Sequence, residues 1–286
     1  MIELQQLSKQ FRATKVLDGI HLSIADAERI ALIGSNGAGK TTLIRCLLGE
    51  YVHEGQVHIN GLDPRVARAA ILSEVGFVPQ LPPPLRMTVH ELLRFSSDLT
   101  GTPVADMTAV AARLGLTLDR VAHLPFSKLS GGQKQKVLIA LALGRPCSLL
   151  ILDEPAANLD PEARHAFFDL LAEQTAARAI TLLISSHRLD EVAPLVNRVV
   201  EMDVGRIVLD DRVADSVSLD GKLSVRIVLS RAEPAIAKAL GQWGLQADPD
   251  AIAWDGTIAS PDRLRFMGML SRYVGVVKSA AIEETA

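Results

Sequence analysis

Three groups of residues are of types and at spacings that can do phosphate chemistry. The first is Gly34, Ser35, Asn36, Gly37, Ala38, Gly39, Lys40 and Thr41, followed by Thr42. Glycines at these positions let successive backbone N–H groups turn inward on phosphate oxygens, and a following helix adds its positive dipole end. Lys40 is then placed for the β- and γ-phosphates of a nucleoside triphosphate, and Thr41 offers its hydroxyl to Mg²⁺. The second group is Asp153 and Glu154 in "SLLILDEP". Two adjacent carboxylates at a buried strand end are costly unless something cationic faces them. A Mg²⁺ ion before Asp153 and a polarised water before Glu154 meet that need. The third group is Ser130, Gly131, Gly132 and Gln133, a Ser-x-x-Gln helix start fronted by glycines, and so a second phosphate-binding surface. One phosphate loop and two such surfaces are reconciled if the second reaches a nucleotide held by another copy.

Each group needs a particular element beneath it. "RIALIG" reads as a short strand and "KTTLIRCLLG" as a helix ending at Gly49, which is the strand–loop–helix context a phosphate loop requires. Leu149 to Leu152 form an apolar run suited to a strand buried on both faces, delivering Asp153 and Glu154 at its C-terminal end. After Gln133, the residues Val137, Leu138, Ile139 and Leu141 give the helix an apolar face. No Asn-Lys-x-Asp guanine-reading stretch is present, so ATP is expected over GTP.

The order of these motifs, with Gln80 after the strand-like "VGFVP", Leu129 before Ser130, "NLDP" after Glu154, and His187 after "TLLISS", resembles the nucleotide-binding subunit of ABC transporters over residues 1 to about 215. The resemblance implies a P-loop NTPase fold: an α/β domain over 1–217, with a mixed-sheet core and a helical subdomain at about 81–135. It implies an ATPase that pairs head-to-tail on ATP, most simply as a homodimer, beneath an integral membrane permease at the cytoplasmic face. By the same resemblance Phe11 stacks on adenine, Gln80 touches Mg²⁺ or the lytic water, His187 contacts the γ-phosphate, and Asp160 belongs to a loop that speaks across the dimer. Local chemistry offers Asp160 a second role, because Asp before Pro161 is a good helix N-cap. Two positions depart from the pattern: Ala156 and Asn158 stand where the family often has Thr and Gly, and neither replaces a metal ligand or a base. The wording "MTVHELLRFSSDLTG" resembles exporter-type systems.

Composition limits the alternatives. With 30 Lys+Arg against 33 Asp+Glu, the chain lacks the basic footprint of a nucleic-acid binder, so no nucleic-acid partner is expected. The rival reading, an ABC ATPase working on nucleic acid or ribosomes, also meets a single cassette with no long coiled-coil insertion. No apolar run of spanning length and no signal-peptide profile is seen. Cys46 and Cys147 lie among apolar residues and read as small core side chains. The seven histidines show no metal-ligand spacing.

A polar stretch, "RVADSVSLDGK", marks a boundary near residue 220, and 222–286 form their own pattern. "LSVRIVLS" reads as a strand, "AEPAIAKALGQWG" as a helix, "AIAWDGTIAS" as a hairpin turning on Asp255-Gly256, "PDRLRFMGMLSRYVG" as a helix and "VVKSAAIEE" as a strand. That order is ferredoxin-like, a small α+β accessory domain.

Overall fold

A computed structural model describes residues 1–212, 222–259, 263–270, 273 and 275–284. The expected polar boundary at 212–222 lies almost wholly outside the described residues. The chain falls into two compact units, one of Met1–His187 with Pro194–Asp211 and one of Arg188–Ala193 with Arg212–Ala286.

The first unit is built on two sheets. Strands β1 (Ile2–Phe11), β2 (Thr14–Ile24) and β4 (Glu54–Ile59) form an antiparallel sheet in the order β2-β1-β4. Strands β3 (Arg29–Ile33), β5 (Val75–Val78), β6 (Leu149–Asp153), β7 (Thr181–Ser186), β8 (Arg198–Asp203) and β9 (Arg206–Arg212) form the other, in the order β5-β6-β7-β3-β8-β9. The pairs from β5 through β8 are parallel. Every residue of β6 is buried, as its uninterrupted apolar run requires of a strand covered on both faces. Helix α1 (Lys40–Leu47) packs on strands of both sheets, and its Leu43, Ile44 and Leu47 join Leu4, Leu17, Ile151 and Leu183 in one core. Each such side chain contributes roughly 1.5–3 kcal/mol on burial, so the helix behind the phosphate loop is firmly anchored. At the start of β8 Arg198, nearly fully buried, donates to Asp210, Glu28 and the Ser23 carbonyl.

The remaining helices of this unit are α2 (Arg68–Ser73), α3 (Val89–Thr100), α4 (Val104–Arg113), α5 (Gly131–Leu143) and α6 (Pro161–Ala177). Three of their starts are set by side chains that satisfy otherwise unpaired N–H groups. Thr88 and Glu91 form a capping box on α3, Ser130 and Gln133 form one on α5, and Asp160 caps α6 with Pro161 as the first helical residue. Helix α5 is buried nearly all round, with Leu141 half-buried.

In the second unit, α7 (Leu189–Val192) precedes β10 (Lys222–Leu229), α8 (Pro234–Gln242), β11 (Gln246–Ala247), β12 (Ala253–Ala259), α9 (Arg263–Leu270) and β13 (Val277–Glu284). The sheet is antiparallel in the order β11-β12-β10-β13, so the expected strand-helix-strand-strand-helix-strand sequence is present. Leu223, Val225, Ile227 and Leu229 point inward from alternate positions of β10 to meet Ile236, Leu240, Trp254 and Phe266. Of the expected helix over 261–275, residues 263–270 are helical, and 261, 262, 271, 272 and 274 lie outside the described residues.

One expected turn is wrong. Asp255-Gly256 is not a hairpin but the middle of β12, where Gly256 pairs with Val225. The chain reverses earlier, where the Asp248 carboxylate accepts from the N–H groups of Ile252 and Ala253, and Ala251 adopts a φ of 53°. Gly256 suits the strand for another reason: a Cβ there would crowd Leu245 at 3.0 Å.

Candidate functional site

The loop from Gly34 to Gly39 joins β3 to α1 and takes a path closed to other residue types at two points. Gly34 has φ 146°, and a Cβ there would sit 2.3 Å from the Met202 carbonyl oxygen. Gly39 has φ 107°, with Leu17 Cδ2 2.9 Å from its would-be Cβ. The loop wraps a cavity of about 240 Å³ lined by Val16, Asn36, Gly37, Ala38, Gly39, Lys40, Thr41, Thr42, Gln80 and Glu154. The residues from Asn36 to Thr42 therefore meet Gln80 and Glu154 at one place. Val16 was not foreseen.

Lys40 opens α1 and is 6% exposed. Its Nζ donates to the carbonyls of Gly34 (2.7 Å) and Ser35 (3.1 Å) and lies 3.9 Å from Glu154 Oε1. Burial holds its pKa below the ordinary lysine value, opposed by the charges of Glu154 and Asp153.

Asp153 ends β6, 2% exposed. Burial pushes its pKa up and the neighbouring Glu154 adds to this, against the pull of hydrogen bonds from Ser185 and Thr41 and of the Lys40 charge. Glu154 follows in the left-handed region at φ 46°, a conformation costing a non-glycine residue about 1–3 kcal/mol. The Glu154 N–H is held by Ser185 Oγ at 2.9 Å, and its carboxylate reaches between two nitrogens: Lys40 Nζ, and His187 Nδ1 at 3.0 Å from Oε2. His187 itself is largely exposed. A carboxylate so placed can accept a proton from a water held at the cavity, with an imidazole beside it to orient that water.

The oxygen donors also fit a divalent cation. Thr41 hydroxyl, Asp153 carboxylate and the Gln80 side chain are hard ligands of the sort Mg²⁺ takes. The buried Asp153, its pKa raised by burial, is a carboxylate whose ionised form such an ion would stabilise.

The other foreseen residues lie outside the cavity lining. Ser130 Oγ accepts from the Gln133 N–H (3.2 Å) and Gln133 Oε1 from the Ser130 N–H (3.0 Å), while Ser130 and Gly131 remain exposed with open space over Gly131. Gly132 faces the Asn158 carbonyl. Asp160 caps α6 through Oδ1, accepting from the Ala163 N–H at 2.9 Å, and pairs through Oδ2 with Lys136 at 2.8 Å. Phe11 closes β1, its ring edge-on to Tyr51 at 5.2 Å and 4.7 Å from Lys9 Nζ. Beside Val16, two further contributors were not foreseen in the sequence: Ser185, and the fully buried Gln135, whose Nε2 donates to the Pro155 carbonyl at 2.9 Å.

Residues 17–157 match the family model described as ABC transporter. The glutamine transport ATP-binding protein GlnQ of Escherichia coli is 36% identical over 222 residues, covering 73% of this chain and 90% of that protein. The methionine import ATP-binding protein MetN of Brucella abortus is 34% identical over 218 residues, covering 72% of this chain and 58% of its own length. Among solved structures, a dimeric ATP-binding cassette in a post-hydrolysis state with ADP and phosphate superposes with a TM-score of 0.67. It covers 74% of this chain and 99% of that one, and at 21% identity the likeness is one of fold.

Proposed function

Because this chain belongs to the ATP-binding subunits of the ABC transporter family and is an ATPase of that family, we propose that it is the motor of a membrane transporter. Two copies close head-to-tail over two ATP molecules, and hydrolysis lets them reopen. The observation that carries the reading is the carboxylate of Glu154, held between Lys40 and His187 at the mouth of the phosphate loop.

In this mechanism Lys40 leaves the carbonyls of Gly34 and Ser35 for the β- and γ-phosphates, while the N–H groups from Ser35 to Thr42 surround the phosphate oxygens. Thr41, Asp153 and Gln80 would hold Mg²⁺. When bound, the ion supplies charge neutralisation on the phosphates. Glu154 takes the proton of the attacking water and His187 orients that water against the γ-phosphate. Phe11 offers its half-exposed ring to adenine. Ser130, Gly131, Gly132 and Gln133 form the second phosphate surface and reach the γ-phosphate of the partner's nucleotide; the exposed, unobstructed start of α5 supports this. Asp160 serves as a helix cap in its own chain and, through its loop, as a dimer contact.

The membrane partner docks on the helical region between Gln80 and Ser130, on the cytoplasmic face. No helix among the described residues is long and apolar enough to cross a membrane itself, which supports a separate permease. On direction there are two readings. The wording of α3 favours an exporter, and the name of the MetN relative favours import. We read 1–217 as the ATP-binding domain and 222–286 as an accessory domain; the separate core of the second unit supports this.

Glu154→Gln tests the assignment. Phosphate release should fall by about 10²–10⁴-fold while ATP binding persists, and the ATP-loaded variant should elute as a dimer. Turnover at the wild-type rate would remove Glu154 as the base.

A further inference from the structure

Ser185 stands directly opposite Asp153 in the parallel pairing of β6 with β7. Its side chain is fully buried. The Oγ proton goes to Asp153 Oδ1 at 2.6 Å, and the same oxygen accepts the Glu154 N–H at 2.9 Å. A hydroxyl has one proton to give, so the direction of the chain is fixed: Glu154 N–H to Ser185 O–H to Asp153 carboxylate.

We infer that Ser185 is a positioning residue for both acids, using one hydroxyl to fix the carboxylate that faces the metal and the backbone that aims the base. This rests on the roles given above to Asp153 and Glu154. Two features make it more than sheet packing. The strand pairing of β6 and β7 runs through backbone groups and does not need the hydroxyl. The peptide it holds is the strained one, since Glu154 lies at φ 46° and only its turned-back N–H reaches β7. Without the hydroxyl, Asp153 Oδ1 loses the Ser185 donor, and Glu154 is freed to relax toward an extended conformation that swings its carboxylate away from Lys40 and His187.

The test compares Ser185→Ala, Ser185→Cys and Ser185→Thr in the full chain. Three quantities are read: phosphate release, thermal midpoint, and affinity for N-methylanthraniloyl-ATP in EDTA and in Mg²⁺. Cysteine preserves the volume but is a poor donor, and threonine preserves the hydroxyl. Ala and Cys should each lower kcat by about tenfold or more, the loss expected for a hydrogen bond to a charged group. They should leave affinity in EDTA within about twofold and shrink several-fold the gain in affinity that Mg²⁺ brings; Thr should restore both kcat and the gain. A Cys variant with wild-type kcat and a wild-type Mg²⁺ gain would overturn the proposal. So would losses that follow only the thermal midpoint and appear equally in EDTA. Glu154→Gln run alongside separates the two layers: normal turnover there removes the base, while the Mg²⁺ gain in the Ser185 variants still reports on Asp153.

Discussion

Gly34→Ala gives a cost that can be worked from the structure and that must appear in one of two readouts. The new Cβ would lie 2.3 Å from the Met202 carbonyl oxygen and 3.1 Å from the Ala38 Cβ. The first contact is more than 1 Å inside an ordinary separation of about 3.5 Å, and the obstacle is backbone of β8, whose pairing to β3 leaves it little room to move. Backbone strain at φ 146° adds about 1–3 kcal/mol, and overpacking adds another 1–3 kcal/mol, so about 4 kcal/mol is expected. If the loop stays in place, the thermal midpoint falls by roughly 8–16 °C for a unit of this size. If the loop shifts to relieve the overlap, the phosphate cradle opens and ATP affinity drops by up to about 10³-fold. Gly61→Ala is the control, because Gly61 also has a positive φ, 76°, but nothing within 4 Å of a new Cβ; it should cost about 1 kcal/mol and leave affinity unchanged. Differential scanning fluorimetry and equilibrium binding of a fluorescent ATP analogue measure both quantities. A Gly34→Ala protein within 2 °C and about threefold of wild type in both would refute the reasoning.

Asp153→Asn should raise the thermal stability of the nucleotide-free protein while removing the affinity gained from Mg²⁺. Burial raises the folded pKa of Asp153 above its unfolded 3.8, so the folded state binds the extra proton and stability falls as pH rises from 3.8 through the raised value. The difference between wild-type and variant melting curves across that window should show this slope, and a difference that rises with pH would contradict the burial argument. Cys46, fully buried with its thiol pKa pushed up to about 11, should resist alkylation in the native protein at pH 8 and react only on unfolding. Mass spectrometry after a timed maleimide pulse reads this, and rapid native labelling would be inconsistent with the core position.

Much of the first unit was legible because its local chemistry and its long-range packing agree. The glycines at 34 and 39, the apolar run before Asp153 and the helix starts at Ser130 and Asp160 are signalled by local chemistry, and the structure honours each signal. Asp255-Gly256 misled because the Asp-Gly hairpin signal is local, while the strand through it is fixed by pairing with β10 and by the inward side chains of Trp254 and Ile258. Val16 enters the cavity from β2, an element distant in sequence from the loop it faces, and its type carries no chemical signal. Ser185 could have been found: aligning the strand end at Asp153 with the strand before His187 puts a hydroxyl beside a carboxylate. Gln135 offered no such cue, since a glutamine one turn into a helix looks like surface until the fold buries it.

The central claim is that ATP turnover at this site drives a membrane-embedded partner. The direct measurement is to solubilise membranes of the native host in mild detergent and capture partners on the Glu154→Gln chain with ATP and Mg²⁺. The captured material is then reconstituted with the wild-type chain in liposomes and phosphate release is recorded. The account predicts a polytopic membrane protein at fixed stoichiometry with two copies of this chain, and ATP turnover that depends on it. Recovery of ribosomes, nucleic acid or soluble factors alone would contradict it, leaving the ATPase chemistry without a transporter to drive.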